Sequence, residues 1–162
     1  MTAMPLLAAD YDLAPPHYAI GEARLFTFFV GGERFALPVA QVQTVFQLDR
    51  LTPAPFAPDY VLGLVNLRGK IVTAVSLRKR FGLPDDGSLA GRYAIGVEYG
   101  QESVALVVDE VGDVRILPAD AQLPPPPHIA PERAAITAGV YRLEQGMLPL
   151  LDLDAMLAFE RK

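Results

Sequence analysis

Short apolar segments separated by turn residues make up most of this chain. In 25–30 apolar side chains fall on both faces of an extended segment, and Gly31 and Gly32 then offer positive-φ positions before 34–37 returns, which predicts a hairpin. Similar segments at 61–65, 71–75, 93–99, 103–109, 111–117, 136–142 and 147–151 predict further strands.

Three places favour short helices instead. Pro38 suits a first helical position, and the spacing of Val39, Val42, Val45 and Phe46 predicts a helix there, with its stripe mainly in the core and its outer edge available to a partner helix. A single turn is predicted at 77–81, capped by Ser76 and closed by Gly82, and a closing helix at 153–159, capped by Asp152.

Many short strands with few helices favour a pair of small β-barrels over a parallel α/β sheet. The strand-to-helix segments 71–77 and 148–153 resemble each other weakly, as two similar lobes would. Residues 1–22 show no sustained period and are expected to form a tail or loosely docked arm, so the folded domain is 23–162. The proline run 124–127 is expected to be a stiff surface connection.

Composition narrows the function. The 162 residues contain no cysteine, which excludes disulfides, thiolate nucleophiles and Cys-ligated zinc. A net charge of -5 argues against nucleic acid as the main partner, although five cations at 68–80 form a candidate basic patch: Arg68, Lys70, Arg78, Lys79 and Arg80. Since 18 consecutive apolar residues occur nowhere, we expect a cytoplasmic protein without direct membrane insertion.

Candidate catalytic groups are few. The two histidines, His17 and His128, stand in proline-rich contexts, and no nucleotide-binding loop or metal-ligand spacing occurs, so we expect no enzyme activity, cofactor or metal. Paired acids at 109–110 and 152–154 leave a hydrolase as a minor alternative. Their structural interpretation is favoured, with Asp109 and Glu110 keeping a sheet edge soluble and Asp152 capping a helix.

The segment 66–69 carries the clearest functional signal. Arg68 presents a fixed fork of donors, Asn66 both donates and accepts, and Gly69 permits a tight bend, all between two segments that favour burial. Core packing does not require such a polar patch, which indicates recognition. The alternative is that Asn66 and Gly69 only shape a turn while Arg68 is solvated.

On these residues the sequence resembles the CheW family, adaptors that couple bacterial chemoreceptors to their histidine kinase. The match covers about 24–159 and is most specific in VLGLVNLRGKIV at 61–72 and SLRKRFG at 76–82, with LVVDEV at 106–111 similar to a second family signature. Gly139 and Val140, together with LLDL at 150–153, resemble the closing strand and helix of the family.

The resemblance implies a mainly β fold of two five-stranded SH3-like β-barrel lobes sharing a hydrophobic core, with short helices and a C-terminal helix. It implies two partners: the regulatory domain of a CheA-type histidine kinase, and the cytoplasmic helical tip of a receptor in a membrane-associated array. The receptor-binding residues carried over by motif are Val42, Thr44, Val45, Gly63, Asn66, Arg68 and Gly69.

Two positions depart from the family. Thr44 stands where the family usually has Glu, which removes a charge from the expected contact surface, and Ser76 replaces the usual Asp before Leu-Arg. These changes favour a divergent pathway, such as one controlling pili, surface sensing or a second messenger. The remaining alternative is a small-barrel module that binds a peptide or nucleic acid through Arg68, Lys70 and 78–80.

Overall fold

The computed structural model describes residues 21–144 and 146–157, apart from the side chain of Tyr99. Almost all of the predicted tail at 1–22 lies outside these residues. The described part contains eleven strands: β1 (Glu22–Val30), β2 (Glu33–Pro38), β3 (Val42–Gln47), β4 (Val61–Leu67), β5 (Lys70–Ser76), β6 (Tyr93–Tyr99), β7 (Glu102–Val108), β8 (Glu110–Pro118), β9 (Gln122–Leu123), β10 (Thr137–Leu143) and β11 (Gly146–Leu151). Its helices are α1 (Leu77–Arg80), α2 (Pro131–Ala134) and α3 (Leu153–Leu157).

The strands form two sheets, which confirms the mainly β prediction. The first sheet has the order β8-β1-β2-β11-β10-β9, so it joins the start of the domain to its end, and the second has the order β3-β6-β7-β5-β4. Neighbouring strands are antiparallel except β2 with β11 and β5 with β7. The second sheet has the predicted five strands, and the two-residue β9 adds a sixth to the first.

The largest hydrophobic cluster joins the two sheets, as predicted for lobes that share a core. Phe28 and Phe35 from the first sheet meet Ile95 and Leu106 from the second, and Met156 of α3 packs with them. Each sheet also has a smaller cluster of its own, around Ala74 and Ala105 in the second and around Leu25 and Leu148 in the first. The two lobes are therefore held against each other by apolar side chains that both sheets bury in this one cluster.

The predicted helix after Pro38 is wrong beyond one short 3₁₀ turn at Val39–Gln41, since β3 follows at once. In the pairing with β6, Val42 lies opposite Val97 and Val45 opposite Ile95, while a β-bulge at Gln43 adds one residue between them. A bulge shifts the alternation by one position, so residues three apart share a face. This local irregularity produces the spacing that imitates a helix.

The other two predicted helix starts are confirmed. Ser76 Oγ accepts the Lys79 N–H at 3.1 Å at the start of α1, and Gly82 follows with φ 79°. Asp152 Oδ1 accepts the Ala155 N–H at 3.2 Å at the start of α3. The last two residues of the predicted closing helix, 158 and 159, lie outside the described residues. The longest α-helix among the described residues, α3, has 5 residues, too few to span a bilayer.

Candidate functional site

The motif at 66–69 forms the tip of the β4–β5 hairpin. Leu67 pairs with Lys70, so Arg68 and Gly69 are the two loop residues, with φ of 56° and 86°. Two consecutive positive φ angles are typical of the type I′ turn that two-residue hairpins prefer. Asn66 Oδ1 accepts the Gly69 N–H at 2.9 Å, so the predicted turn-shaping role of these two residues is confirmed.

Arg68 is the exposed residue of this turn whose side chain can form hydrogen bonds and ion pairs with a partner. Its side chain forms no ion pair or hydrogen bond with any residue in the described ranges. An arginine in a left-handed conformation is unfavourable by about 1 kcal/mol, and the turn holds it there. The guanidinium fork is therefore displayed at a fixed backbone position, and its donors have no partner among the residues that the structure describes.

Ile71 extends this surface, and sequence reasoning missed it. It lies directly opposite Asn66 in the β4–β5 register, yet 65% of its surface is exposed. The apolar segment 71–75 favours burial, and Val72, Ala74 and Val75 are indeed buried, but Ile71 is not. The available signal is the position of Ile71 next to the polar turn. An exposed apolar side chain beside an uncommitted arginine is a combination common at interfaces.

The β3 residues of the predicted site divide between two faces. Val42 and Val45 are half-buried and pack against the shared core, in agreement with the core role expected of most of the stripe. Thr44 faces the other way. A Cβ atom on Gly96 would lie 2.9 Å from Thr44 Cγ2 and 3.2 Å from Leu67 Cδ2, so both side chains lie over that glycine. This arrangement places the edge strand β3 near the tip of the β4–β5 hairpin.

Gly63 has a packing reason to be glycine. It is buried, and a Cβ atom there would lie 2.6 Å from the carbonyl oxygen of Thr52. Thr52 crosses at this point because its N–H and C=O exchange hydrogen bonds with Leu64 at 2.8 and 2.7 Å. Receptor contact by Gly63 stays a prediction, and any such contact would be made by its main chain.

The predicted basic patch is reduced by internal pairing. Arg78 donates from Nε and Nη2 to the two carboxylate oxygens of Asp109, at 3.0 and 2.8 Å. Lys79 Nζ lies 3.7 Å from an Asp59 oxygen. Arg80 donates to the Met156 carbonyl at 3.2 Å, and its guanidinium lies over the ring of Tyr60. With these three cations engaged, a nucleic-acid surface would rest on Arg68 and Lys70 alone, which disfavours that alternative.

Asp109 has a structural role different from the predicted one. It does not keep a sheet edge soluble, because besides Arg78 it accepts the Gly31 N–H at 2.7 Å and so ties α1 to the β1–β2 turn. Burial acts to raise the pKa of Asp109, but the hydrogen bonds from Arg78 and Gly31 outweigh it and hold the pKa below the ordinary 3.8.

A second carboxylate, Asp85, extends this network. Arg92 Nη1 donates to it at 3.0 Å and the Ser76 hydroxyl donates to its other oxygen. Here too burial acts to raise the pKa, while the hydrogen bonds from Arg92, Ser76 and the Gly87 N–H give a net lowering. The Ser76 side chain thus contacts a carboxylate that the 84–92 loop supplies.

The ion-paired side chains border a groove of about 810 Å3, lined among others by Arg78, Asp85, Arg92 and Asp109. The hydrolase alternative loses two of its candidate carboxylates, since Asp109 is held in an ion pair and Asp152 caps a helix, while Glu110 and Asp154 are exposed acids. Among the residues described, no group of three or more His, Asp or Glu side chains could hold a metal ion.

Comparison with known proteins identifies the family. The family model for the CheW-like domain matches residues 24–161. This chain belongs to the CheW-like domain family. It is 30% identical over 150 residues to chemotaxis protein CheW of Rhizobium meliloti (strain 1021), covering 92% of this chain and 96% of that protein. Protein FrzA of Myxococcus xanthus is 31% identical over 121 residues, covering 74% of each chain.

The structural comparison agrees. The crystal structure of scaffolding protein TtCheW from Thermoanaerobacter tengcongensis matches with a TM-score of 0.72 at 28% identity, over 80% of this chain and 88% of that one. CheW membership confirms the resemblance noted in the sequence. It supports a role as a chemotaxis adaptor and agrees with a protein that is not an enzyme.

Proposed function

We propose that this protein is a non-catalytic adaptor that couples chemoreceptors to a CheA-type histidine kinase in the cytoplasm, at membrane-associated receptor arrays. One observation carries the proposal: the uncommitted, exposed Arg68 held at the tip of the β4–β5 hairpin in a chain of the CheW-like family. Membership of the family indicates what kind of partner to expect, and the hairpin presents an exposed surface that such a partner can bind.

The hairpin tip is the proposed receptor surface. Arg68 offers forked donors that match a carboxylate or a pair of carbonyl oxygens, and the exposed Ile71 offers an apolar anchor beside it. The polar Asn66 between them completes a patch with both kinds of contact. A receptor's cytoplasmic helical tip, with an apolar stripe flanked by acidic or carbonyl oxygens, has the complementary chemistry.

Thr44 tunes this surface. It lies near Leu67 and the tip of the hairpin, and brings no charge where the family usually has Glu. Arg68 therefore has no acidic partner on β3 within the described chain, and its charge remains available to the receptor. We propose that this favours receptors with an acid at the facing position and places the protein in a divergent chemosensory pathway.

The kinase is proposed to bind elsewhere, through end-to-end contact between its regulatory domain and one of the two lobes. Separate surfaces are required because an adaptor must hold both partners at once. A ternary mixture of receptor fragment, kinase and this protein should then sediment as one complex, whereas competition between the two partners would contradict the proposal.

Receptor binding tests the assignment of Arg68. The receptor's cytoplasmic helical hairpin is titrated into the wild type, Arg68→Ala and Arg68→Glu, with calorimetry as the readout. Loss of a hot-spot arginine should weaken binding about tenfold to a hundredfold, and charge reversal more than truncation. Arg142→Glu is the matched control, since Arg142 is an exposed cation on β10 of the other sheet.

Equal weakening by Arg68→Glu and Arg142→Glu would indicate a nonspecific charge effect and contradict the site. Full receptor-controlled kinase activity with Arg68→Glu would do the same. Retained kinase binding in Arg68→Glu, by contrast, is expected from two separate surfaces.

A further inference from the structure

The strand β8 is an open edge. It lies at the end of the first sheet and, within the described chain, pairs only with β1. The main-chain N–H and C=O of Asp113 are directed at the Thr27 hydroxyl of β1, at 2.9 and 2.7 Å. Because main-chain groups alternate sides along a strand, those of Val114 and Ile116 point away from β1, toward the open side. An edge of this kind is a template for another strand.

Two apolar side chains are exposed on this same strand. Val114 is 52% and Ile116 is 51% exposed, and the register places them opposite Phe26 and Arg24 of β1. Their neighbours Arg115 and Leu117 alternate with them, and Leu117 packs on the core of the first sheet. Val114 and Ile116 therefore lie on the opposite face, that of Phe26, which packs at the margin of the shared core, and about half of each of the two residues remains exposed beside the open edge.

The charged side chains of β8 would be complementary to those of a second β8 strand that runs antiparallel to it. Asp113 and Arg115 flank Val114 and lie close to each other, with 3.4 Å between Arg115 Nε and Asp113 Oδ2, and side-chain exposures of 64% and 38%. If a second β8 runs antiparallel with Val114 opposite Val114, each Asp113 faces the other copy's Arg115. The next residue, Gly112, lies at a β-bulge where Gly112 and Asp113 together face Thr27 of β1, and a Cβ atom on Gly112 would clash with the Thr27 hydroxyl oxygen.

We propose that two copies of this chain associate through antiparallel pairing of their β8 strands, about a two-fold axis at Val114. The pairing extends the first sheet across both copies, brings the two Val114 side chains next to each other, and forms two Asp113–Arg115 contacts between copies. The interface is small, so the dimer is weak and forms at high protein concentration, as within an ordered array. This inference goes beyond the adaptor function and does not depend on the receptor site.

Charge reversal gives the decisive test. Sedimentation velocity is measured up to about 100 µM for the wild type, Arg115→Asp, Asp113→Arg and an equimolar mixture of the two variants. Each variant alone places like charges opposite each other twice and should dissociate at least about tenfold more easily than the wild type. The mixture restores both contacts between copies, since one chain then carries two acids and the other two bases. Dimer should therefore reappear in the mixture, and this recovery excludes misfolding as the cause of the loss.

Crosslinking tests the axis. The chain has no cysteine, so Val114→Cys gives a single thiol. Residues opposite each other in an antiparallel pair lie about 5.5 Å apart at Cα, within disulfide reach. Val114→Cys should form a covalent dimer faster than Ile71→Cys, although Ile71 is more exposed. Equal rates, or a wild type that stays monomeric throughout, would overturn the proposal. A monomer whose kinase binding is lost on Ile116→Lys would also overturn it and assign this edge to the kinase.

Discussion

Replacement of Asp109 by alanine is the most informative stability experiment. Its carboxylate joins three parts of the chain: α1 through Arg78, the β1–β2 turn through the Gly31 N–H, and the start of β6 through Arg92, whose Nε lies 3.7 Å away. The alanine side chain removes the acceptor for all three but leaves the apolar core unchanged.

The magnitude follows from the hydrogen bonds that this substitution removes. Two are donated by Arg78 and one by Gly31, each with a net value of about 1 kcal/mol. Solvent reduces the sum, because a third of the Arg78 side chain and 22% of the Asp109 side chain are exposed. The positive charge of Arg92, whose side chain is only 9% exposed, would also lose one of its two neighbouring carboxylates. We expect a decrease of about 2–3 kcal/mol in the free energy of unfolding.

Urea denaturation followed by far-ultraviolet circular dichroism measures this decrease. A double-mutant cycle with Arg78→Met should give a coupling energy of at least about 1 kcal/mol between the two side chains. Glu110→Gln is the control, since Glu110 is the adjacent exposed acid, and it should change stability by less than about 0.5 kcal/mol. A cost for Asp109→Ala below about 1 kcal/mol, or a coupling near zero, would refute the assignment of a structural network.

Three further outcomes are expected. The pKa values of Asp85 and Asp109 are lowered, so the native state binds fewer protons than the unfolded state. The free energy of unfolding therefore includes their full contribution above the ordinary pKa of 3.8 and decreases as the pH falls through the native pKa values. Urea midpoints measured from about pH 7 to about pH 3 check this. Gly63→Ala should cost at least about 2 kcal/mol, since its Cβ would lie 2.6 Å from the Thr52 carbonyl, and thermal melting checks it. Phe56→Asn should stabilise by about 0.5 kcal/mol in urea, since Phe56 is fully exposed at φ 67°.

Each of these has a control. In Asp109→Asn the stability should depend less on pH, and an unchanged profile would argue against the carboxylate as the source. Gly21→Ala should be neutral, because nothing lies within 4 Å of its Cβ position, and a cost equal to that of Gly63→Ala would point to a general glycine effect. Phe56→Ala keeps the unfavourable conformation, so a gain equal to that of Phe56→Asn would contradict strain as the cause.

The difference between predicted and observed structure at β3 shows the limit of periodicity. The spacing of Val42 and Val45 predicts contact with the core, which is confirmed, and a helix, which is wrong. The bulge at Gln43 that brings them to one face is stabilised by pairing with β6, more than 45 residues away along the chain. The spacing of apolar residues within one segment contains no information about that partner strand. It can therefore predict correctly which residues are buried and still predict a helix where a strand forms.

The roles of side chains that bond to residues nearby in the sequence are predicted well. Ser76 and Asp152 cap helices because their oxygens reach N–H groups three residues ahead, and Asn66 shapes its turn by a bond to Gly69. Such contacts depend on the nearest residues, which the sequence lists in order. The residue type of Gly69 likewise predicts the tight bend, because glycine adopts a positive φ without steric cost.

The sequence by itself determined the mainly β class, the turns and caps, and the family. Only the tertiary structure decided which cations remain available: Arg78 and Arg68 look alike in sequence, yet one is bound to Asp109 and the other, at a hairpin tip, has no partner among the residues described. It also decided that Asp85 meets Ser76 and that β8 is an open edge of its sheet in the described chain. The physical reason is that charge pairing and strand order depend on contacts between distant segments, and these are fixed when the shared core brings the two lobes together.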